Sequence, residues 1–277
     1  MVPFAFRATD GETQNKMQFR GKASLDWEKR LMIRQAILVV FSHLRWDFGF
    51  QQPQHLLTRM ARKRHMIFIE EPILDSMHQA YLELTYIDEN LLLVRPHSPI
   101  DSPGFSEEQM PILKKLLCEF FAEQGLSKCV AWFYTPLALP LLTELPHDLV
   151  VYDCMDALDT SLNAPPLLKE REQELLDKAN FVFTGGPSLF KRLGGRRLRV
   201  HCLPSSVEDE QVMYQGVIGD SVTDMAQKHE VLAFANWDSA TNALLNLIER
   251  AIADRSHVSV ASKTWTKLWR LKKNIVL

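Results

Sequence analysis

Between residues 36 and 204 the chain repeats one pattern, a short unbroken apolar run followed by a longer amphipathic stretch. The runs are "AILVVF" (36–41), "HMIFIEE" (65–71), "LLLVRP" (91–96), "CVAWFY" (129–134), "LVVYDC" (149–154), "FVFTGG" (181–186) and "RVHCLP" (199–204). A strand with no polar alternation needs cover on both faces, and helices between such strands make them parallel. The expected fold class is therefore α/β, a doubly wound parallel Rossmann-like sheet over residues 35–206. Pro53 can open the first helix, with Leu56, Leu57 and Met60 at helical spacing. Ile112, Leu113, Leu116, Leu117, Phe120 and Phe121 form the stripe of a second helix, with Gly125 placed to cap it. Pro165 and Pro166 open a third, turning Leu168, Leu175, Leu176 and Ala179 inward.

Outside that span the pattern fails. Residues 1–34 show no period and read as a poorly ordered N-terminal extension. Residues 207–277 hold too little strand–helix material for a second doubly wound domain, which takes on the order of 100–150 residues. They read as a short α-rich remnant. One helix is N-capped by Asp238, with Ala240, Ala243, Leu244, Leu247, Ile248, Ala251 and Ile252 on one face; another aligns Trp265, Leu268 and Trp269.

A formal net charge of −2 supplies no basic field for nucleic acid. The 4 cysteines are widely spaced within apolar elements, which fits buried thiols in a reducing compartment, with the cytoplasm as the default. No apolar stretch approaches the ~20 residues a membrane helix needs, and no secretory signal opens the chain, so the expectation is a soluble protein.

Missing motifs narrow the chemistry. No G-x-G-x-x-G follows the first strand, and no G-x-x-x-x-G-K-[ST] or C-x-x-C occurs. "HEVLA" lacks the second histidine of a zinc-protease helix, and "TGGPS" lacks the serine elbow of the α/β-hydrolases. No metal and no organic cofactor is expected.

Where glycines would cradle a dinucleotide, the chain writes "SHLRWD". Ligands of open parallel sheets bind beyond the carboxyl ends of the strands, so His43, Arg45, Trp46 and Asp47 face that crevice. An aromatic ring can stack on a sugar face while the polar groups satisfy hydroxyls. The plain structural alternative has Trp46 covering the next helix and Arg45 paired with Asp47. Gln51, Gln52, Gln54 and His55 open that helix, where free N–H groups favour anions or simply cap the end. Glu70 and Glu71 end the second strand, and either can pair with Arg45 or Arg95. Asp153 and Asp156 follow a buried strand in "YDCMD", positioned to orient a hydroxyl proton or, for Asp156, to cap a turn. Tyr134 ends "CVAWFY", and Gly185, Gly186 and Ser188 bring backbone close at a helix start.

Taken in order, "SHLRWDFGFQQPQHLL", "EEP", "WFYTPLALPLL", "VYDCMDAL", "FVFTGGPSLF" and "HCLPSSVE" resemble the N-terminal half of the GT-B glycosyltransferases, of the group-1, family-4-like kind. The resemblance covers about residues 36–208. It implies two Rossmann-like domains facing a cleft, an acceptor side and a nucleotide-sugar side. It also implies transfer with retention and no required metal, in bacterial polysaccharide or cell-envelope assembly. The implied catalytic residues are His43 and Asp153. Arg45, Trp46, Asp47, Gln51, His55, Glu71, Tyr134, Asp156, Gly185, Gly186 and Ser188 are implied substrate contacts. By the same resemblance "LPSSV" (203–207) matches the interdomain linker, and "SKTWTKLWRLKKNI" the terminal helix that packs back across the first domain.

The family's E-x7-E donor motif occurs nowhere in this chain. The expectation is thus a glycosyltransferase-like protein with a truncated donor domain, acting on a saccharide or lipid-linked acceptor. The missing half would come from a partner protein; the alternative is a non-catalytic glycan- or partner-binding module. Lys263, Lys267, Arg270, Lys272 and Lys273 around Trp265 and Trp269 allow peripheral contact with the inner membrane face, or helix-on-domain packing with lysines along the surface.

Overall fold

The computed structural model describes residues 17–20, 36–48, 52–155, 165–185, 187–193, 199–202 and 237–273, with 17–20, 52, 187, 199, 202 and 256–273 as backbone alone. Ten strands form one sheet in the order β1-β5-β6-β3-β2-β7-β8-β9-β10, with β4 pairing β6 off that path. The strands are β1 Met17–Arg20, β2 Ile37–Ser42, β3 Met66–Glu70, β4 Ile73–Leu74, β5 Tyr81–Asp88, β6 Leu91–Ser98, β7 Cys129–Phe133, β8 His147–Cys154, β9 Phe181–Thr184 and β10 Arg199–Cys202. The expected α/β Rossmann-like sheet is present. Every apolar run forms a strand, and β2, β3 and β7 are buried at each position because both faces are covered.

Two features depart from the expectation. β5 pairs antiparallel with β6 through a tight hairpin, and β1 runs parallel to β5, so one edge of the sheet is mixed. The pattern of β5, "YLELTYID", alternates as a half-covered edge strand does, which is why it lacks the signature of the central strands. Met17–Arg20, expected within an irregular extension, is a strand.

The helices are α1 Gln52–Ala61, α2 Met110–Glu123, α3 Pro166–Lys178, α4 Pro187–Leu193 and α5 Trp237–Lys273. α2 ends as its sequence implies. Gly125 takes φ 63°, its N–H donates to the Ala122 carbonyl, and the Leu126 N–H donates to that of Phe121, a Schellman cap.

α2, α3, α4 and the 3-10 segment Pro136–Glu144 contribute to a core on one face of the sheet. Among the described residues of the strand connections, α1 is the one helix that covers the other face. That would leave Val130, Trp132, Leu149, Val151, Phe181 and Phe183 bare, and α5 fills the gap: Trp237, Ala240, Leu244, Leu245, Ile248 and Ala251 join those residues in one core. Each large side chain so covered contributes roughly 1.5–3 kcal/mol. The expected break between two C-terminal helices is absent, since α5 runs unbroken for 37 residues, with Asp238 as its second residue instead of its cap. Trp237–Ala251 packs into the strand–helix unit, across the boundary expected at 206. Ion pairs from α1 and the turn that follows it, Arg59–Asp238 at 3.0 Å and Arg64–Glu249 at 2.5 Å, run in step with chain direction, so α1 and α5 are parallel. "LPSSV" and residues 208–236 lie outside the described residues.

Candidate functional site

Chain order places the topological switch at β2, with β3 joining one side of it and β7 the other. The crevice beyond the carboxyl ends of β2 and β7 is the standard ligand position in such sheets. Ser42 ends β2 there and Tyr134 follows β7, its N–H donating to the Phe41 carbonyl at 2.9 Å.

Register explains what lines this rim. On the α1–α5 face the strands lie in rows. The row nearest the amino ends is Leu91, Met66, Leu38, Val130 and Leu149. Above it come Leu93, Phe68, Val40, Trp132, Val151 and Phe181. One step further the residues turn polar except at β9: Glu83, Arg95, Glu70, Ser42, Tyr134, Asp153, Phe183 and His201, in lateral order. All but Arg95 are buried. Buried polar groups cost free energy unless paired, so the pairing of this row decides what it does.

The half beside β3 and β6 is satisfied internally. Glu70, 0% exposed, accepts from Arg95 Nε at 2.8 Å, from Arg45 at 3.2 Å and from the Trp46 N–H at 2.6 Å. Arg45 also donates to the carbonyls of Glu71 at 2.5 Å and Pro72 at 3.2 Å. Arg95 reaches on to Asp47. Burial works against the Arg95 charge, but Glu70 and Asp47 outweigh it and hold its pKa above the usual value. Glu83 accepts from or bonds His97 at 2.9 Å, and Tyr81 stacks on His97 with centroids 4.4 Å apart. Ser42 Oγ closes a turn with the Leu44 N–H at 3.0 Å. These contacts pin the "SHLRWD" loop to the sheet.

The half beside β7 and β8 is different. Asp153 is 0% exposed and neither carboxyl oxygen has a hydrogen-bond partner. The Tyr134 hydroxyl and Trp132 Nε1, both buried, lack partners as well. Burial pushes the Asp153 carboxyl up to about 7; the nearby Tyr134 and Trp132 groups pull the other way without reaching hydrogen-bond geometry. Burial also raises the Tyr134 hydroxyl well above its usual value, and the charge of Asp153 adds to this. No cation contributes to the Asp153 shift.

The sequence-derived residues therefore separate. Arg45, Trp46 and Asp47 belong to the ionic half, where the Trp46 ring meets Phe68 edge-on at 5.1 Å. The pairing of Arg45 with Asp47 does not form; Glu70 takes Arg45 and Arg95 takes Asp47. Glu71, half-buried, lies against Gly104, with its pKa raised by burial and opposed by Arg45. Tyr134, Asp153 and Gly185 belong to the neutral half; a Cβ on Gly185 would stand 2.8 Å from the Met155 carbonyl oxygen, so only glycine fits there without a shift. From Glu70 on β3 to Asp153 on β8 is three strand spacings, about 14 Å. His43 is exposed just past β2, between the halves. His55 stacks on Trp237 at 5.4 Å and 7°, which makes it a docking contact for α5. Ser188 is exposed on α4. Gln51, Asp156 and Gly186 lie outside the described residues.

Sequence reasoning passed over Trp132, Ser42, Glu83, His97 and His201. Ser42, Glu83 and His201 share a signal visible once strands are aligned by register, the runs turning polar at one level; Trp132 lies one row nearer the amino ends and His97 one row beyond. Among the described residues no cluster suited to a metal ion occurs, and no helix is long and apolar enough to cross a membrane.

No protein-family model matches the chain, and no curated protein matches its sequence. Similar solved structures include sucrose-phosphate synthase from Thermosynechococcus elongatus, at 11% identity and TM-score 0.47, covering 77% of this chain and 98% of that one. The α,α-trehalose-phosphate synthase (UDP-forming) of Burkholderia xenovorans in complex with glucose-6-phosphate matches at 10% identity and TM-score 0.43, covering 69% of this chain. The E. coli trehalose-6-phosphate protein bound with UDP-2-fluoro glucose matches at 10% and 0.43, covering 70%. This chain spans about half the length of those last two, 55% and 54%. These are partial likenesses of backbone path, and the chemistry of the site rests on this chain's own residues.

Proposed function

We propose that this chain is the acceptor-side half of a nucleotide-sugar-dependent glycosyltransferase of the GT-B kind, handling a saccharide or lipid-linked acceptor in bacterial polysaccharide or envelope assembly. The observation that carries the reading is the neutral half of the rim. Trp132, Tyr134 and Asp153 hold two donors and a carboxyl without partners, beside the switch point of a parallel sheet. The ordered run of motifs from "SHLRWD" to "HCLPSSVE" supports the same reading.

Here the ionic half fixes the loop that carries His43, and Asp153 with Tyr134 orients an acceptor hydroxyl. In transfer with retention, the acceptor oxygen bonds the anomeric carbon as the bond to the nucleotide diphosphate breaks. The hydroxyl proton passes to the departing phosphate oxygen, so Asp153 needs only to orient the hydroxyl and not to take its proton. The absent E-x7-E pair makes the donor side the part a partner protein would supply. The same absence favours a second reading, a saccharide-binding module without catalysis. Calorimetry with UDP- and GDP-sugars, followed by product analysis on saccharide acceptors with and without co-purified partners, tests both. Nucleotide-sugar affinity and transfer are expected for the first. Saccharide binding with neither would leave the second, and no saccharide binding at all would remove both.

A further inference from the structure

We propose that Trp132, Tyr134 and Asp153 form a subsite for a single uncharged hydroxyl group, a ring hydroxyl or hydroxymethyl of a saccharide or polyol, and that it rejects oxyanions. The proposal deepens, and rests on, the reading of this rim as a saccharide site. A hydroxyl carries one donor hydrogen and two acceptor lone pairs. The trio offers the complement, a carboxyl to accept and the Tyr134 O–H and Trp132 N–H to donate. All three side chains are almost completely covered, so a whole ring cannot reach them and only a protruding group of one or two heavy atoms would.

Charge sets the selectivity. A phosphate or carboxylate oxygen would bring negative charge beside Asp153, where no described lysine or arginine compensates it. The arginines of the other half, Arg45 and Arg95, are both held by Glu70. The Trp132 ring stacks on Phe183, with centroids 5.5 Å apart at 22°, which occupies one ring face and leaves the N–H edge as its polar contact. Retaining so many unpaired polar atoms in a core is costly, and a ligand hydroxyl relieves the cost at all three side chains together.

The test is an NMR titration of the 15N-labelled full chain, following the Trp132 indole N–H signal, assigned by Trp132→Phe. The probes are glucose, mannose, galactose, N-acetylglucosamine and glycerol, against inorganic phosphate. At least one neutral probe should shift the indole saturably, and phosphate should leave it in place. Tyr134→Phe should weaken that probe about tenfold or more, the loss of one buried hydrogen bond, while the remaining tryptophan indoles report an intact fold. Asp153→Leu, an apolar replacement of the same branching, should abolish the shift without unfolding the chain. The proposal is overturned if no neutral probe moves the indole, if phosphate moves it equally, or if the shift survives undiminished in Tyr134→Phe. Nucleotide-sugar is left out, so failed transfer alone leaves this result standing. Transfer without an indole shift would instead place the acceptor elsewhere on the rim.

Discussion

Two carboxylates on the same row, Glu70 and Asp153, are both fully buried and meet opposite fates. Glu70 is held by two guanidiniums and a backbone N–H. Removing it in Glu70→Ala takes the shared carboxylate from Arg45 and Arg95, which keep only the Glu71 and Pro72 carbonyls and Asp47 among the contacts described, and should cost about 3 kcal/mol, read by urea denaturation. Asp153 has no such partner, and its carboxyl titrates at about 7 in the folded chain against 3.8 as the ordinary value. The folded state thus holds a proton that the unfolded chain releases across that window. Stability is fully present below the unfolded value and is lost as pH rises toward the folded one, by about 4 kcal/mol in all. Asp153→Asn should match the wild type near pH 4 and exceed its stability by a similar ~4 kcal/mol at pH 8. A mutant advantage that does not grow with pH would contradict this account. The thiols give a simpler contrast. Burial pushes Cys129 and Cys154 up to about 12, while Cys118 is exposed on α2, so alkylation of the native chain should label Cys118 well before the other two.

At the scale of elements, α5 docks by apolar packing, with ion pairs as a minor addition. Leu244 is fully buried, whereas Asp238 and Arg59 are partly exposed at 68% and 26% of their side chains. Leu244→Ala should cost about 3 kcal/mol and be indifferent to salt. Asp238→Ala should cost under about 1 kcal/mol, and less in high salt. Thermal unfolding of the two variants at low and high salt checks the ranking. The elements themselves were legible because a run such as "ILVVFS" or "MIFIE" has no polar side to show. The cap at Gly125 was legible for a similar reason: it follows directly from the last apolar turn of α2. β5 was not, since its half-covered face alternates, and neither was the docking of α5. An amphipathic helix declares that it needs a cover but not which surface supplies it; here the answer depends on the described crossover helices near β7–β9 lying on the opposite face.

For the molecule as a whole, the switch between β2 and β7 divides the rim into an ionic half that satisfies itself and a neutral half that does not. The sequence placed Asp153 and Tyr134 at that rim; Tyr134 follows the buried β7, and Asp153, expected just past its strand, is the penultimate residue of β8. It grouped Arg45, Trp46 and Asp47 with them because adjacency in the chain says nothing of the three strand spacings between β3 and β8. The pairings that separate the groups, Glu70 with Arg45 and Arg95, join residues 25 positions apart and appear only with the register. The division can be measured at one atom. Carbon-13 NMR of the Asp153 carboxyl, identified by its loss in Asp153→Asn, should show a neutral acid at pH 5 and a titration midpoint at about 7. A carboxyl already ionised at pH 5 would mean that a cation reaches it, and the rim would not be divided as described.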